Sequence, residues 1–463
     1  MAMDIAHRDH LLAAVHGVVA LAVLLLSLLA EVLVFALRLR TALYLVPLSA
    51  MLLLCFFRRH AAADVGLVDF SCLKPPRRLR LPVAKVIEHL KLNGCFNRDS
   101  VEFMSKAIQA SGMGHETYVP PALHYIPPAA AHADAVQEAR ALFFPTLDDL
   151  FAKTGVAPSA VGALVVNCSG FCPAPSLTAI IANHYRMRSD LKTFNLSGMG
   201  CSAGVIGVDV ASSLLRSSRS MTYAVVVSAE VFAGRFYVGN EHAKLLLNCY
   251  FRTGCSAALV RKTNTRGIGT AAGPTTAATA RATAYWDEDE EGIAGFTVGE
   301  GVGRMFSEML RAHLAALGPS ILPWREKLRY MAALLLLRTR RHKLAVPTPD
   351  FRAAADHLCL PSNNRAIIWR LGQGLGLGER EVEAALMTFH RFGNQSAASL
   401  WYQLAYLEAK GRVRTGDTVW QLGVGSGLKA NSLVWQRVAG AGNGALGPWT
   451  DCIHHYPIYQ GNE

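Results

Sequence analysis

Between residues 161 and 262, apolar β-branched runs alternate with segments of helical spacing, and this alternation most narrows the folds open to the chain. VGALVVNCS (161–169) reads as a buried strand from its continuous Val-rich run. PSLTAIIANHYRM (175–187) has helical spacing, with Ser176 placed to cap it. LKTFNLSG (191–198) is a second strand running into a loop, and SAGVIGVDVASSLL (202–215) is an apolar helix rich in small residues. TYAVVVSAE (222–230) and CSAALVRK (255–262) are two more strands. Strands of this kind with helices between them require a sheet covered on both faces.

A similar rhythm returns over SNNRAIIWRL (362–371), EREVEAALMTF (379–389), SAASLWYQLAYLEAKG (396–411) and GDTVWQLGVGSG (416–427). The expectation is an α/β body of two halves, 61–262 and 346–463, alike in pattern but not in sequence. Between them, 263–345 reads as a divergent insert. It opens Thr/Ala/Gly-rich, passes through the acidic DEDEE (287–291) and closes with LRYMAALLLLRTRRHK (328–343). That last segment fits a membrane interface or a channel cap, and equally an ordinary surface helix.

Ahead of the body lie two uncharged apolar runs, 11–30 and 41–57, separated by Arg38 and Arg40. Each approaches the ~20 residues that a bilayer-crossing helix needs. The expectation for 1–60 is a two-helix transmembrane hairpin. A signal peptide fits less well, because a second run follows the first and no small-residue cleavage site separates them. Buried soluble helices are the other reading. Arg58, Arg59, Lys74, Arg77, Arg78 and Arg80 follow the second run, which puts that side and the body in the cytosol. The sequons at Asn167, Asn195 and Asn394 then stay unmodified. The net charge of +12 suits anionic headgroups or a phosphate-bearing substrate, and also a basic surface with no specific partner. No zinc-finger spacing or RNP-like motif points to nucleic acid. The ten cysteines are scattered without a CxxC pair, as for reduced thiols facing the cytosol.

NLSGMGCSAG (195–204) sets Cys201 at a glycine-flanked turn between strand and helix. Glycines allow the tight backbone of such an elbow. A helix N-terminus aimed at the sulfur lowers a thiol pKa and favours the nucleophilic thiolate; a buried structural cysteine is the competing reading. HRFGN places His390 and Asn394 four residues apart, with Gly393 suggesting a turn. Imidazole and amide N–H groups suit a developing enolate or oxyanion, while Asn394 as a plain helix cap is the alternative. GVGSG (423–427) lacks the spacing of a dinucleotide fingerprint and suits close backbone approach to a site. His357 precedes the turn-like LPSNN.

These pieces, with VDFSCLKP, YVGNEHAKLLLNCYFRTG and GDTVWQLGVGSGLKANSLVW, resemble in consecutive order the plant 3-ketoacyl-CoA synthases of very-long-chain fatty acid elongation. The resemblance implies a thiolase-like fold of two fused βαβαβ halves in five layers. It also implies a dimer, other elongase subunits as partners, the endoplasmic reticulum membrane as location, and coenzyme A thioesters as substrates with no bound cofactor. On it, Cys201 accepts the acyl group of a long-chain acyl-CoA. Malonyl-CoA then loses CO2 and its enolate attacks the thioester, with Asn394 and a histidine as donors. His390 occupies a histidine position of the family, and His357 matches the first histidine of the pattern E-H-F-C-I-H-A-G-G-R-A. The second, principal histidine falls on Pro361, and the two glycines fall on Asn363 and Asn364. Two readings follow: an active condensing enzyme, or an impaired family member that binds acyl-CoA or joins an elongase complex. A polyketide condensing enzyme without an anchor is a third, opposed by the apolar runs.

Overall fold

The computed structural model describes residues 19–29, 31, 51, 65–128, 131–262, 268–271, 284–299, 301–339, 349–437 and 447–458. The chain divides into two units, Met1–Ala63 and Asp64–Glu463. In the first, residues 19–29 are helical, and Leu21, Leu25, Leu26 and Leu29 are exposed. The expected spans 11–30 and 41–57 otherwise lie outside the described residues. Among the described residues no helix is long and apolar enough to cross a membrane.

In the second unit the strands are β1 (Val65–Cys72), β2 (Val161–Asn167), β3 (Lys192–Leu196), β4 (Tyr223–Ala229), β5 (Cys255–Lys262), β6 (Ile268–Ala271), β7 (Ala284–Glu288), β8 (Ala294–Val298), β9 (His357–Cys359), β10 (Thr418–Gly425) and β11 (Lys429–Gln436). The helices are α1 (Val83–Leu92), α2 (Arg98–Ala110), α3 (His132–Thr154), α4 (Leu177–His184), α5 (Ala203–Ser217), α6 (His242–Tyr250), α7 (Val302–Ile321), α8 (Trp324–Thr339), α9 (Arg365–Gly374), α10 (Glu379–Phe392) and α11 (Ser399–Ala409).

The first sheet has the order β1-β5-β4-β2-β3, with β4, β2 and β3 mutually parallel and β5 antiparallel to both its neighbours. The second has the order β6-β11-β10-β9. β2 is buried along its whole length and β4 nearly so, which explains their unbroken apolar runs. β3 ends the sheet, and its first four residues are exposed. Helix α5 packs on β2, β4 and β5 and also on β10 and β11, so it lies between the two sheets. Helix α11 joins it there, against β1, β9 and β10. α3 covers the outer face of the first sheet and α7 covers β11, giving five layers. Small residues let α5 approach so closely: a Cβ on Gly207 would meet Val226 Cγ1 at 2.8 Å, and one on Gly204 would meet the Ala397 carbonyl at 2.6 Å.

The segment expected as an insert, 263–345, is less separate than its composition suggests. It supplies β6, which pairs with β11 in the second sheet. Its acidic run turns the β7–β8 hairpin, where Asp287 pairs with the buried Lys244 and Asp289 accepts from the Tyr237 hydroxyl. The acidity thus answers a buried cation and a hydroxyl. On α8, Trp324, Leu328 and Met331 are exposed.

Candidate active site

Cys201 sits in a 3₁₀ turn, Gly200–Ser202, between β3 and α5. Gly198 and Gly200 hold positive φ of 68° and 57°, a region that costs other residues energy. The Gly200 N–H donates to Ser169 Oγ at 2.9 Å, and Ser202 Oγ donates to the Met199 carbonyl at 2.8 Å. The GVGSG loop closes the turn from the second sheet. A Cβ on Gly425 would lie 2.1 Å from the Met199 carbonyl oxygen, and one on Gly200 would lie 2.7 Å from the Ser426 nitrogen. Gly425→Ala therefore has to push the cysteine turn aside. A displacement near 1 Å costs about 10²-fold in rate. The expected outcome is that loss in steady-state turnover with Cys201 still open to alkylation, read by mass spectrometry.

Asn394 reaches the same point. α10 ends at Phe392, and Gly393, with φ 70°, reverses the chain. Asn394 then forms a bridge with Phe251, and Asn394 N–H donates to the Tyr250 carbonyl at 3.0 Å. Its side-chain Oδ1 accepts from the Ser396 N–H at 2.8 Å, and its Nδ2 donates to Asn363 Oδ1 at 3.3 Å. The 3₁₀ turn Ser396–Ala398 packs against the cysteine turn, and the Asn394 and Ser396 side chains both favour the ionised form of the Cys201 sulfur. Ser396 holds φ 54°, an unusual value for a residue with a side chain. Its Oγ donates to Glu230 Oε2 at 3.2 Å.

Burial pushes the Cys201 thiol up to about 11, although the residue keeps partial exposure. The polar side chains of Ser396 and Asn394 pull the other way, and the carboxylate of Glu230 adds to the rise. The thiol is thus not lowered as its place before a helix suggests; desolvation outweighs the backbone field.

The two histidines do not join this cluster. His390 lies in the last turn of α10, and the reversal at Gly393 takes Asn394 away from its face. Its ring packs on Gly114, where a Cβ would come within 2.4 Å of Cε1, and its Nδ1 lies 3.2 Å from the Tyr456 hydroxyl. It lines a separate cleft with Arg365, Trp369, Glu383 and Arg412. Burial lowers its pKa to about 4, so it stays neutral near pH 7. His357 opens β9 opposite Val419, and its Nε2 pairs with Asp417 Oδ2 at 2.9 Å. From Val419 to Gly425, where β10 meets the cysteine turn, six strand steps span about 20 Å. The position after β9 nearest Asn394 is held by other means. Gln403 accepts from the Leu360 N–H at 2.7 Å and donates to the Leu360 carbonyl at 2.6 Å, and Pro361 follows, buried.

Glu230 and Ser396 are the members of the cluster that the sequence did not flag. The available signals were an acid closing an apolar strand, TYAVVVSAE, and a serine two residues past Asn394.

A family model described as FAE1/Type III polyketide synthase-like protein matches residues 55–340. One described as the C terminal of 3-oxoacyl-[acyl-carrier-protein] synthase III matches 352–437. The chain is 42% identical over 402 residues to 3-ketoacyl-CoA synthase 4 of Arabidopsis thaliana, covering 85% of this chain and 78% of the relative. It is 42% identical over 405 residues to 3-ketoacyl-CoA synthase 6 of the same plant, covering 85% and 81%. Among solved structures, the fold matches 1,3,6,8-tetrahydroxynaphthalene synthase from Streptomyces coelicolor, a bacterial type III polyketide synthase. The TM-score is 0.64 at 17% identity, covering 81% of this chain and 99% of that one. The priming β-ketosynthase of the R1128 polyketide pathway matches with a TM-score of 0.55 at 18% identity, covering 81% and 96%. The five layers are thus those of a thiolase-like fold, and the chain belongs to the FAE1/type III polyketide synthase-like family, among its 3-ketoacyl-CoA synthases.

Proposed function

We propose that this protein is a 3-ketoacyl-CoA synthase that condenses a long-chain acyl-CoA with malonyl-CoA to a very-long-chain 3-oxoacyl-CoA. The observation that carries the reading is the packing of the Asn394–Ser396 segment, held together by the Ser396 N–H to Asn394 Oδ1 bond, against the glycine-flanked turn of Cys201. Cys201 takes the acyl group as a thioester and releases coenzyme A. Malonyl-CoA loses CO2, and the Asn394 amide donates to the enolate oxygen as charge develops there. The enolate carbon attacks the Cys201 thioester, giving the 3-oxoacyl-CoA and the free thiolate. Thioester substrates require no bound cofactor for these steps.

In this reading the amino-terminal apolar runs anchor the enzyme in the endoplasmic reticulum membrane, with its body in the cytosol. The uncharged 11–30 and 41–57, the exposed leucines of 19–29 and the basic residues after 57 support it. The exposed Trp324, Leu328 and Met331 of α8, set among Arg325, Lys327 and Arg329, suit a headgroup layer close to the body. A homodimer is the natural cover for β3: among the described residues it ends a sheet with one side unpaired, and it exposes Phe194. Other elongase subunits complete the cycle by reducing and dehydrating the product.

The test is expression of the full chain in a yeast strain that lacks its own very-long-chain synthesis, with lipid profiling and carbonate extraction of membranes. New acyl chains longer than the host's, carried by a carbonate-resistant protein, are expected. A membrane-bound protein with an unchanged acyl profile, and no 3-oxoacyl-CoA from labelled malonyl-CoA in microsomes, overturns the assignment.

A further inference from the structure

Building on the reading of Cys201 as acyl acceptor, we infer that Glu230 removes the thiol proton through the hydroxyl of Ser396. This Cys201–Ser396–Glu230 relay does the work that an imidazole does in other thiol nucleophiles.

Three observations carry it. First, no imidazole reaches the sulfur among the described residues. His390 is turned away beyond Gly393, His357 lies at the far end of the sheet, and the loop beside Asn394 carries Pro361 and Asn363. Second, Ser396 Oγ donates to Glu230 Oε2 at 3.2 Å, and the turn it opens packs against the cysteine turn, which puts its hydroxyl between the carboxylate and the sulfur. It does so from a backbone at φ 54°, which the Asn394 side chain pins through the Ser396 N–H. A strained residue held in place by its neighbours at the mouth of a nucleophile is where function is expected. Third, Glu230 is buried and forms no ion pair among the described residues. It accepts from the Gly170 N–H, from Ser396 and, at 3.6 Å, from the Cys168 thiol. The other ionisable groups that bear on it are Glu138, itself buried and held by the Phe232 and Ala233 N–H groups, and Cys201. A buried carboxylate without a cation is costly to keep. Burial raises its pKa and makes it a stronger base than a surface glutamate.

The step balances. The thiol proton passes to Ser396 Oγ while the Ser396 hydroxyl proton passes to Glu230 Oε2. The thiolate, now accepting from Ser396, attacks the acyl carbonyl and expels the coenzyme A thiolate, which takes a proton from solvent. When condensation later frees the Cys201 thiolate, the proton returns from Glu230 by the same path.

The test uses the full chain in microsomal membranes, without malonyl-CoA, and follows transfer of a radiolabelled long-chain acyl group from acyl-CoA to Cys201 between pH 6 and pH 10. The wild-type rate is expected to rise as Glu230 ionises and then to hold a plateau until the pH at which the thiol ionises unaided. Glu230→Gln is expected to lower it about 10²-fold at pH 7 and to make it climb about tenfold per pH unit, approaching wild type near pH 10. Ser396→Gly should give the same profile. It removes the hydroxyl but suits the positive φ, so the turn survives. A wild-type-like plateau in either variant overturns the relay and leaves the condensing role of Cys201 intact. A loss that is equal at every pH shows a structural role only and also overturns it. A wild-type protein that takes no acyl group at any pH overturns both the relay and the assignment beneath it.

Discussion

Cys201→Ala protein, incubated with radiolabelled long-chain acyl-CoA, is expected to retain no label after denaturation, where wild type holds one acyl group as a thioester. Removing a nucleophile costs on the order of 10⁴- to 10⁶-fold in turnover, because the residual rate comes only from binding and from the surrounding donors. The fold should survive. The sulfur sits in a turn fixed by Gly198, Gly200 and the Ser169 hydroxyl, none of which depends on the cysteine side chain. Malonyl-CoA can still meet Asn394 in this variant, so slow release of CO2 without chain extension is compatible with the scheme. Label that persists on another cysteine is not. Cys168 borders the cluster, its thiol donating to Glu230, and peptide mapping distinguishes the two.

Asn394→Ala is expected to lose 10²- to 10³-fold in 3-oxoacyl-CoA formation, the cost of one missing oxyanion donor. Its side-chain Oδ1 also accepts from the Ser396 N–H, and leaving that buried donor unpaired costs about 1–3 kcal/mol of stability. The melting temperature should therefore fall as well. Acyl loading measured near pH 11, where the thiol ionises without help, separates the two effects. Loading there should drop less than tenfold while condensation stays crippled. Equal losses in both half-reactions would make Asn394 a scaffold for the turn rather than a donor to the enolate.

Much of the fold was legible because its strongest elements are also the most buried. β2 and β4 lie inside a parallel sheet, and such strands declare themselves by unbroken Val-rich runs. The Ser176 cap holds, with its Oγ accepting from the Ala179 N–H at 3.2 Å. Shorter or mixed elements carried no such signal. β9 is three residues long, and β6 hides in a stretch whose composition reads as a divergent insert. At the site, residue type pointed to Cys201 and Asn394, and the local backbone brings them together. The same reasoning attracted His390 and His357, where direction decides instead. One glycine reverses the chain between His390 and Asn394, and His357 sits at the wrong end of its strand. Glu230 left only a weak signal, since an acid at the end of an apolar strand looks like a solvent-facing terminus until the fold closes over it.

The amide of Gln403 grips both backbone groups of Leu360, as a neighbouring strand would, and adds a bond of 2.8 Å to Ser362 Oγ. Shape at this corner is thereby uncoupled from the identity of the next side chain. A lineage can exchange the group at position 361 without rebuilding the wall around it. Reactivity can drift there, be lost and be regained by single substitutions, while the architecture stays as it is.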